Sequence, residues 1–398
     1  MRISCLVLAA VVCSTEGCQS SGSDGSGTSF QRADLLLGQA DFTSASKDAG
    51  ESAASLGGVQ LPTGDAVAFK AGLVLPDTYN NRLLLYQAMP TRSGTPADVV
   101  LGQPDPASES ASHLPGRFHY PRSAAVGGEA LLVADAGASR VVLDPGGRNV
   151  ALGWDPSSPT YRVGCAADRL DQPARAIVVA GKLIVADRAN NRVLIWNTVP
   201  TGTSPADVVV GQKDLVHCAA NDMVGNGRSG GKGPSTLYEP SDVWSDGKRL
   251  LVVDQGNNRV LLWNTFPSSN AAKADVVLGQ PDFLAAIADS SSTGLDSPGA
   301  VASDGNSIFV ADVRNNRVLG WRRFPSANAA PADLVLGQGD FVHNTANDDG
   351  QTGIEGGPTA RTMNHPMGVA LVGGYLIVTD TYNNRFLLFR GFAMGRAP

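Results

Sequence analysis

The sequence predicts an all-β chain: a six-bladed β-propeller of four-stranded antiparallel blades, closed by the N-terminal strand completing the last blade. Three observations carry this expectation: a turn-rich composition, six internal repeats, and a complementary mismatch between the two ends. Of 398 residues, 46 are Gly and 24 Pro, and only 17% are charged. That profile fits short strands joined by many turns and disfavours coiled coils and acidic disordered tails. Hydrophobic residues make up 42%, ample for a core, yet no apolar run approaches the ~18 residues of a membrane span. Lys and Arg number 31 against 37 Asp and Glu, a net charge of -6 with no basic tract. The electrostatic footprint of a nucleic-acid binder is therefore missing, and no nucleic-acid partner is expected.

The repeats define the elements. The pattern D-x-x-N-N-R, followed by aliphatic residues and an aromatic, recurs at Asp77 to Tyr86, Asp187 to Trp196, Asp254 to Trp263, Asp312 to Trp321 and Asp380 to Phe389. A weaker copy, Asp135 to Asp144, keeps Asp135 and Arg140 only. Upstream of each copy a Pro opens a short apolar stretch: Pro62, Pro121, Pro173, Pro240, Pro298 and Pro366. A second signature, A-D-x-x-x-G-Q, begins at Ala33, Ala97, Ala206, Ala274 and Ala332, with Asn149 to Trp154 standing in its place in the second unit. Each unit thus holds four apolar runs bounded by turn residues, which read as four strands. Six such units make a propeller.

The ends fit each other. The propeller starts with a G-Q strand, Asp34 to Gln39, that has no repeat before it, and the sixth repeat stops after its third strand, Arg385 to Phe389. Pairing the two completes the blade and hides an edge that would otherwise recruit other chains. The expected organisation is a signal peptide over 1–18, a flexible Ser/Gly tether over 19–30 and one propeller over 31–398.

The N-terminal segment reads as a targeting sequence. Arg2 and the amine precede an apolar stretch, Ile3 to Val12, followed by small residues. Cys18, before the Ser/Gly tether, resembles the acylated Cys of a bacterial lipoprotein signal, although Thr15 and Glu16 stand where that pattern has Leu and a small residue. Ordinary signal cleavage between Cys13 and Cys18 is the alternative. Either places the protein outside the cytoplasm, in the periplasm, on the outer membrane or secreted, and a lipid on Cys18 would be its one link to a membrane.

The repeat P-x-G-V-A … L-x-V-A-D-x-x-N-N-R-V-L-x-W, clearest at Pro366 to Phe389 and Pro173 to Trp196, resembles the NHL repeat, and the added A-D-V-V-L-G-Q-P-D-F segment resembles that of secreted bacterial NHL proteins. The likeness covers nearly all of residues 31 to 392. It implies a docking surface for a protein or RNA. Related six-bladed enzymes include a zinc- and calcium-dependent amidating lyase, lactonases and strictosidine synthase-like proteins.

A residue present in every blade is more simply a turn staple than a catalyst: Asp accepts turn N–H groups, Asn tolerates left-handed backbone and Arg meets carboxylates or carbonyls. A single site must come from what is not repeated. The links from each outer strand to the next inner strand are long, as in Lys213 to Glu239 and Gly339 to His365, and share the face of the D-x-x-N-N-R turns. Residues beside the six prolines should rim the channel on that face. His119, Tyr120, Arg122, Arg175, Glu239, Asp242 and His365 form the expected ligand site, with Thr63, Asp65, Asp171 and Gln172 nearby. Arg122 and Arg175 together would hold a carboxylate or phosphate; a solvated rim of internal ion pairs is the plainer possibility.

Five His are present, with no H-x-x-x-H or C-x-x-C pair to fix zinc. A structural calcium on channel carbonyls with Asp65 or Asp242 is the metal the residues would best accommodate. Cys165 and Cys218, in "VGCAAD" and "VHCAAND", occupy matching places in neighbouring long loops and are expected to form a disulfide in an oxidising compartment. The functional expectation is an exported, monomeric, non-catalytic binding or scaffold propeller engaging a protein, peptide or glycan. The alternative is a metal-dependent lyase or lactonase-like enzyme at the channel mouth, using His119 or His365.

Overall fold

The computed structural model describes residues 30–127, 130–143, 150–153 and 164–392. The targeting segment with Cys18, most of the tether, Asp144, Asn149, Trp154 and the residues after 392 lie outside them. Six antiparallel four-stranded sheets are present. Blade 1 is β2 (Val67–Phe69), β3 (Gly72–Asp77), β4 (Arg82–Tyr86) and β5 (Val99–Leu101), and blade 2 is β6 (Pro121–Gly127), β7 (Ala130–Asp135), β8 (Arg140–Leu143) and β9 (Val150–Leu152). Blade 3 is β10 (Pro173–Val179), β11 (Lys182–Asp187), β12 (Arg192–Trp196) and β13 (Val208–Val210). Blade 4 is β14 (Pro240–Ser245), β15 (Leu250–Asp254), β16 (Arg259–Trp263) and β17 (Val276–Leu278). Blade 5 is β18 (Pro298–Ser303), β19 (Ile308–Asp312), β20 (Arg317–Trp321) and β21 (Leu334–Leu336). Blade 6 is β22 (Pro366–Val372), β23 (Tyr375–Asp380), β24 (Arg385–Arg390) and, as its outer strand, β1 (Leu35–Leu37).

The core lies between blades. Because each sheet is covered on both faces, its strands are continuous apolar runs, and successive side chains enter opposite interfaces. In blade 4, Leu250 and Val252 join the cluster shared with blade 3, whereas Leu251 and Val253 join the one shared with blade 5. The N-terminal strand obeys the same rule. Leu36 packs with Leu387 and Phe389, Leu37 packs with Phe386 and blade 1, and the register Leu36↔Leu387 seals the ring.

The invariant Asp, Asn, Asn and Arg of the repeated hexapeptide are spent on the framework. In blade 4, Asp254 Oδ2 accepts from Arg259 Nε at 2.7 Å and from Asn257 Nδ2 at 2.8 Å, while Oδ1 accepts the Tyr238 N–H. Arg259, fully buried, donates onward to the carbonyls of Phe283, Gly233 and Thr236, tying two long loops to one turn. The second Asn is left-handed and staples neighbouring blades: Asn191 Oδ1 accepts the Glu239 N–H and its Nδ2 donates to Cys218 O. Asn384 repeats this from blade 6 to blade 1, through Leu61 and Ala45. The Gln of the G-Q signature donates to the second Asn carbonyl and to a loop carbonyl, as Gln212 does to Asn191 and Ala219. Its Gly must be Gly: Gly211 has φ 94°, and a Cβ there would meet Leu237 at 2.4 Å. In the divergent second unit Ala138 replaces the first Asn, and Ser139 Oγ takes over the second Asn's task by accepting the Gln172 N–H.

Candidate ligand-binding site

The staples fix the backbone at the channel mouth. The residue before each repeated proline, Leu61, Tyr120, Gln172, Glu239, Ser297 and His365, has a positive φ between 38° and 52°. A left-handed non-Gly residue costs of order 1–3 kcal/mol and persists only where its surroundings over-determine it. Here the N–H to the previous blade's Asn, or Ser139, does so. In blades 2 to 6 a β-bulge follows the proline, so the next two residues go to different places.

That bulge separates Arg122 from Arg175. Arg122 directly follows Pro121, on the bulge, and faces the mouth. Arg175 is two residues after Pro173, pairs with Ala186, and enters the throat. There it meets two buried carboxylates, Asp65 at 3.0 Å and Asp242 at 3.4 Å. Blade 1 carries one residue more between Pro62 and Asp77 than the other blades do between the matching positions, which brings Asp65 to the place of Asp242. Asp65 also accepts the N–H of Val369, across the seam in blade 6, and Asp242 that of Val301, in blade 5. The space between them is only about 10 Å³, so the channel is plugged at this level. Burial raises both Asp pKa values, that of Asp242 well above the usual range because Asp65 adds its charge, while Arg175 opposes the rise. In this structure the Arg175 guanidinium pairs with the two carboxylates that the sequence reading offered to calcium, and it stands in the throat rather than beside Arg122 at the mouth.

Above the plug lies a cavity of about 780 Å³, within the ~300–1,000 Å³ usual for small-ligand sites. Tyr79 and Thr78 come from the blade 1 turn, His119, Tyr120 and Arg122 from the start of blade 2, and Asp171 and Gln172 from the start of blade 3. Tyr79 and Tyr120, 44% and 40% exposed, stand edge to face with ring centres 5.1 Å apart, and the His119 ring lies against Tyr120 at 4.9 Å. Burial lowers the His119 pKa below its ordinary 6.5, so the ring is neutral at pH 7, and its Nδ1 is buried without a hydrogen-bond partner among the described residues. Burial likewise raises the Asp171 pKa.

Arg122 is half-buried, and burial, with Arg188 adding repulsion, pushes its guanidinium down to about 10, which leaves it charged at neutral pH. Among the described residues no carboxylate or carbonyl lies within bonding distance of it. Glu239 instead pairs with Arg188 on the rim. His365 stacks on Tyr382 at 4.3 Å and meets Asn364 Oδ1 through Nδ1, outside the cavity lining. Of the seven expected site residues, His119, Tyr120 and Arg122 thus share the cavity, Arg175 and Asp242 form its plug, and Glu239 and His365 stand apart.

Tyr79 was not among the expected residues, since it sits inside a hexapeptide read as a staple. Its signal is visible only in the two variable positions of D-x-x-N-N-R, which are Thr-Tyr in blades 1 and 6 and hold no aromatic elsewhere. Cys165 and Cys218 form a disulfide with Cα atoms 5.9 Å apart, joining the long loops on either side of blade 3. His217 and His343 each bond an Asp three residues earlier in their own loop, Asp214 and Asp340. Among the described residues, no three His, Cys, Asp or Glu side chains converge as metal ligands do.

No family model and no curated protein matches the chain. Similar solved structures include a candidate gluconolactonase, 13% identical over 90% of this chain and 96% of that one, with a TM-score of 0.46. An auxiliary nutrient binding protein from Bacteroides thetaiotaomicron is 11% identical over 83% and 69%, with a TM-score of 0.47. A nidogen/laminin complex chain is 14% identical over 68% and 81%, with a TM-score of 0.38.

Proposed function

We propose that this protein is an exported binding propeller of NHL type that takes the end of a glycan chain into the mouth cavity on its long-loop face. One observation carries the reading. The repeated polar side chains are consumed by the framework, whereas Tyr79, Tyr120, His119, Arg122, Asp171 and Gln172 converge on one cavity with polar atoms or ring faces left over. Exposed aromatic faces suit the C–H faces of sugar rings, and carboxylate and amide groups suit their hydroxyls. The plug gives the cavity a floor, which favours a chain end over a threaded strand. The disulfide and the signal-like N-terminus support an extracytoplasmic setting. The lyase or lactonase alternative would draw on His119 in the same cavity, but the carboxylates expected to hold a cation, Asp65 and Asp242, are paired with Arg175.

The double substitution Tyr79→Ala/Tyr120→Ala tests this on a glycan panel. Both rings are exposed, so the thermal midpoint is expected to stay within a few degrees while affinity for the best-bound glycan falls by about tenfold or more. Undiminished binding would place the glycan elsewhere, and the absence of any glycan binding to the parent protein would refute the reading.

A further inference from the structure

Resting on the reading above, we infer that the cavity selects a sugar residue bearing a single carboxylate, of the uronic acid kind, with Arg122 as its anchor. The cations around the mouth and throat divide sharply. Arg175 is neutralised by Asp65 and Asp242, and Arg188 by Glu239. Arg122 alone of these three has no contacting partner among the described residues, although it is half-buried, lines the throat with Arg175 and feels the Arg188 charge; Glu239 and Asp242 act on it only from a distance. Holding a guanidinium partly out of water without a counter-charge is unfavourable, and a ligand carboxylate relieves that cost by taking two parallel N–H donors.

The rest of the cavity narrows the class. Asp171, on the blade 3 wall, has no partner for its carboxylate among the described residues and can accept a pair of sugar hydroxyls. Its charge also opposes a doubly charged group within the cavity itself, so the single carboxylate of one sugar residue fits there better than a phosphate monoester. Tyr79 and Tyr120 lie beside Arg122 and offer a ring face to the pyranose that carries the acid. An arginine kept for framework reasons would instead be paired, as Arg82, Arg192, Arg259, Arg317 and Arg385 all are.

The experiment uses the full-length protein with trisaccharides from pectate, alginate and hyaluronan, each as the free acid and as its methyl ester, together with a short peptide ending in a free carboxylate. The acid of at least one series should bind about tenfold or more tightly than its ester. In Arg122→Gln the two forms should converge, with ester affinity retained and the thermal midpoint unchanged or raised, since an unpaired charge has been removed from a half-buried place. Equal binding of acid and ester by the parent protein would overturn the anchor while leaving the glycan reading intact. No saccharide bound while the peptide binds would overturn both. A fall in thermal midpoint for Arg122→Gln, with the acid preference kept, would mark Arg122 as a framework residue and overturn the proposal.

Discussion

Replacing Arg175 with Met is expected to be among the most damaging single changes in the molecule at pH 7, at about 3–5 kcal/mol, because it strands two carboxylates that are each 97% buried. The pH dependence identifies the cause. Asp65 and Asp242 have folded pKa values raised above the unfolded value by burial, so their contribution is fully present below the unfolded value and is lost as pH rises through the folded ones. Without Arg175 both climb further. The deficit of Arg175→Met should therefore be largest at neutral pH and shrink as the solution is acidified toward pH 4. Thermal unfolding of parent and variant across this range is the measurement, and a deficit that ignores pH would point to lost packing instead. Adding Asp65→Asn and Asp242→Asn should restore most of the loss, since the amide oxygens still accept the Val369 and Val301 N–H groups.

A similarly large effect is expected at the seam. Leu36 is fully buried in β1, and Leu36→Ala should cost about 2–5 kcal/mol. Removing residues 1–39 should do more, for it takes away the whole outer strand of blade 6 together with the Asp34 Oδ2 to Arg390 N–H bond. The uncovered edge of β24 then becomes a template for other chains. Size-exclusion chromatography should show oligomers or aggregate for the truncated protein and a monomer for the parent. A monomeric truncated protein with an unchanged thermal midpoint would mean that the ring does not depend on this strand.

Much of the architecture is legible in the sequence, because a six-fold repeat amplifies weak signals. No single D-x-x-N-N-R or G-Q would be decisive, but their constant order gives blade number, strand number and the seam, and the left-handed Asn and Gly positions follow from residue type. The site is less legible, for definite reasons. Arg122 and Arg175 look equivalent beside their prolines, yet the β-bulge sends one to the mouth and the other to the throat, a difference of one residue in register that carries no marker in composition. The extra residue of blade 1 hides the equivalence of Asp65 and Asp242 in the same way. Tyr79 is concealed by the motif around it. The position next to a proline does find Tyr120 and Arg122, since the staple on the residue before each proline holds that stretch at the mouth.

Hydrogen exchange of the full-length protein, with and without a saturating amount of the tightest-binding acidic trisaccharide, tests most directly whether the mouth cavity is where the ligand sits. Protection confined to the amides around His119 to Arg122, Asp171 to Gln172 and the Thr78 to Asn80 turn is the expected result. Protection on the outer parts of the loops 213–239 and 339–365, with the mouth unchanged, would contradict it.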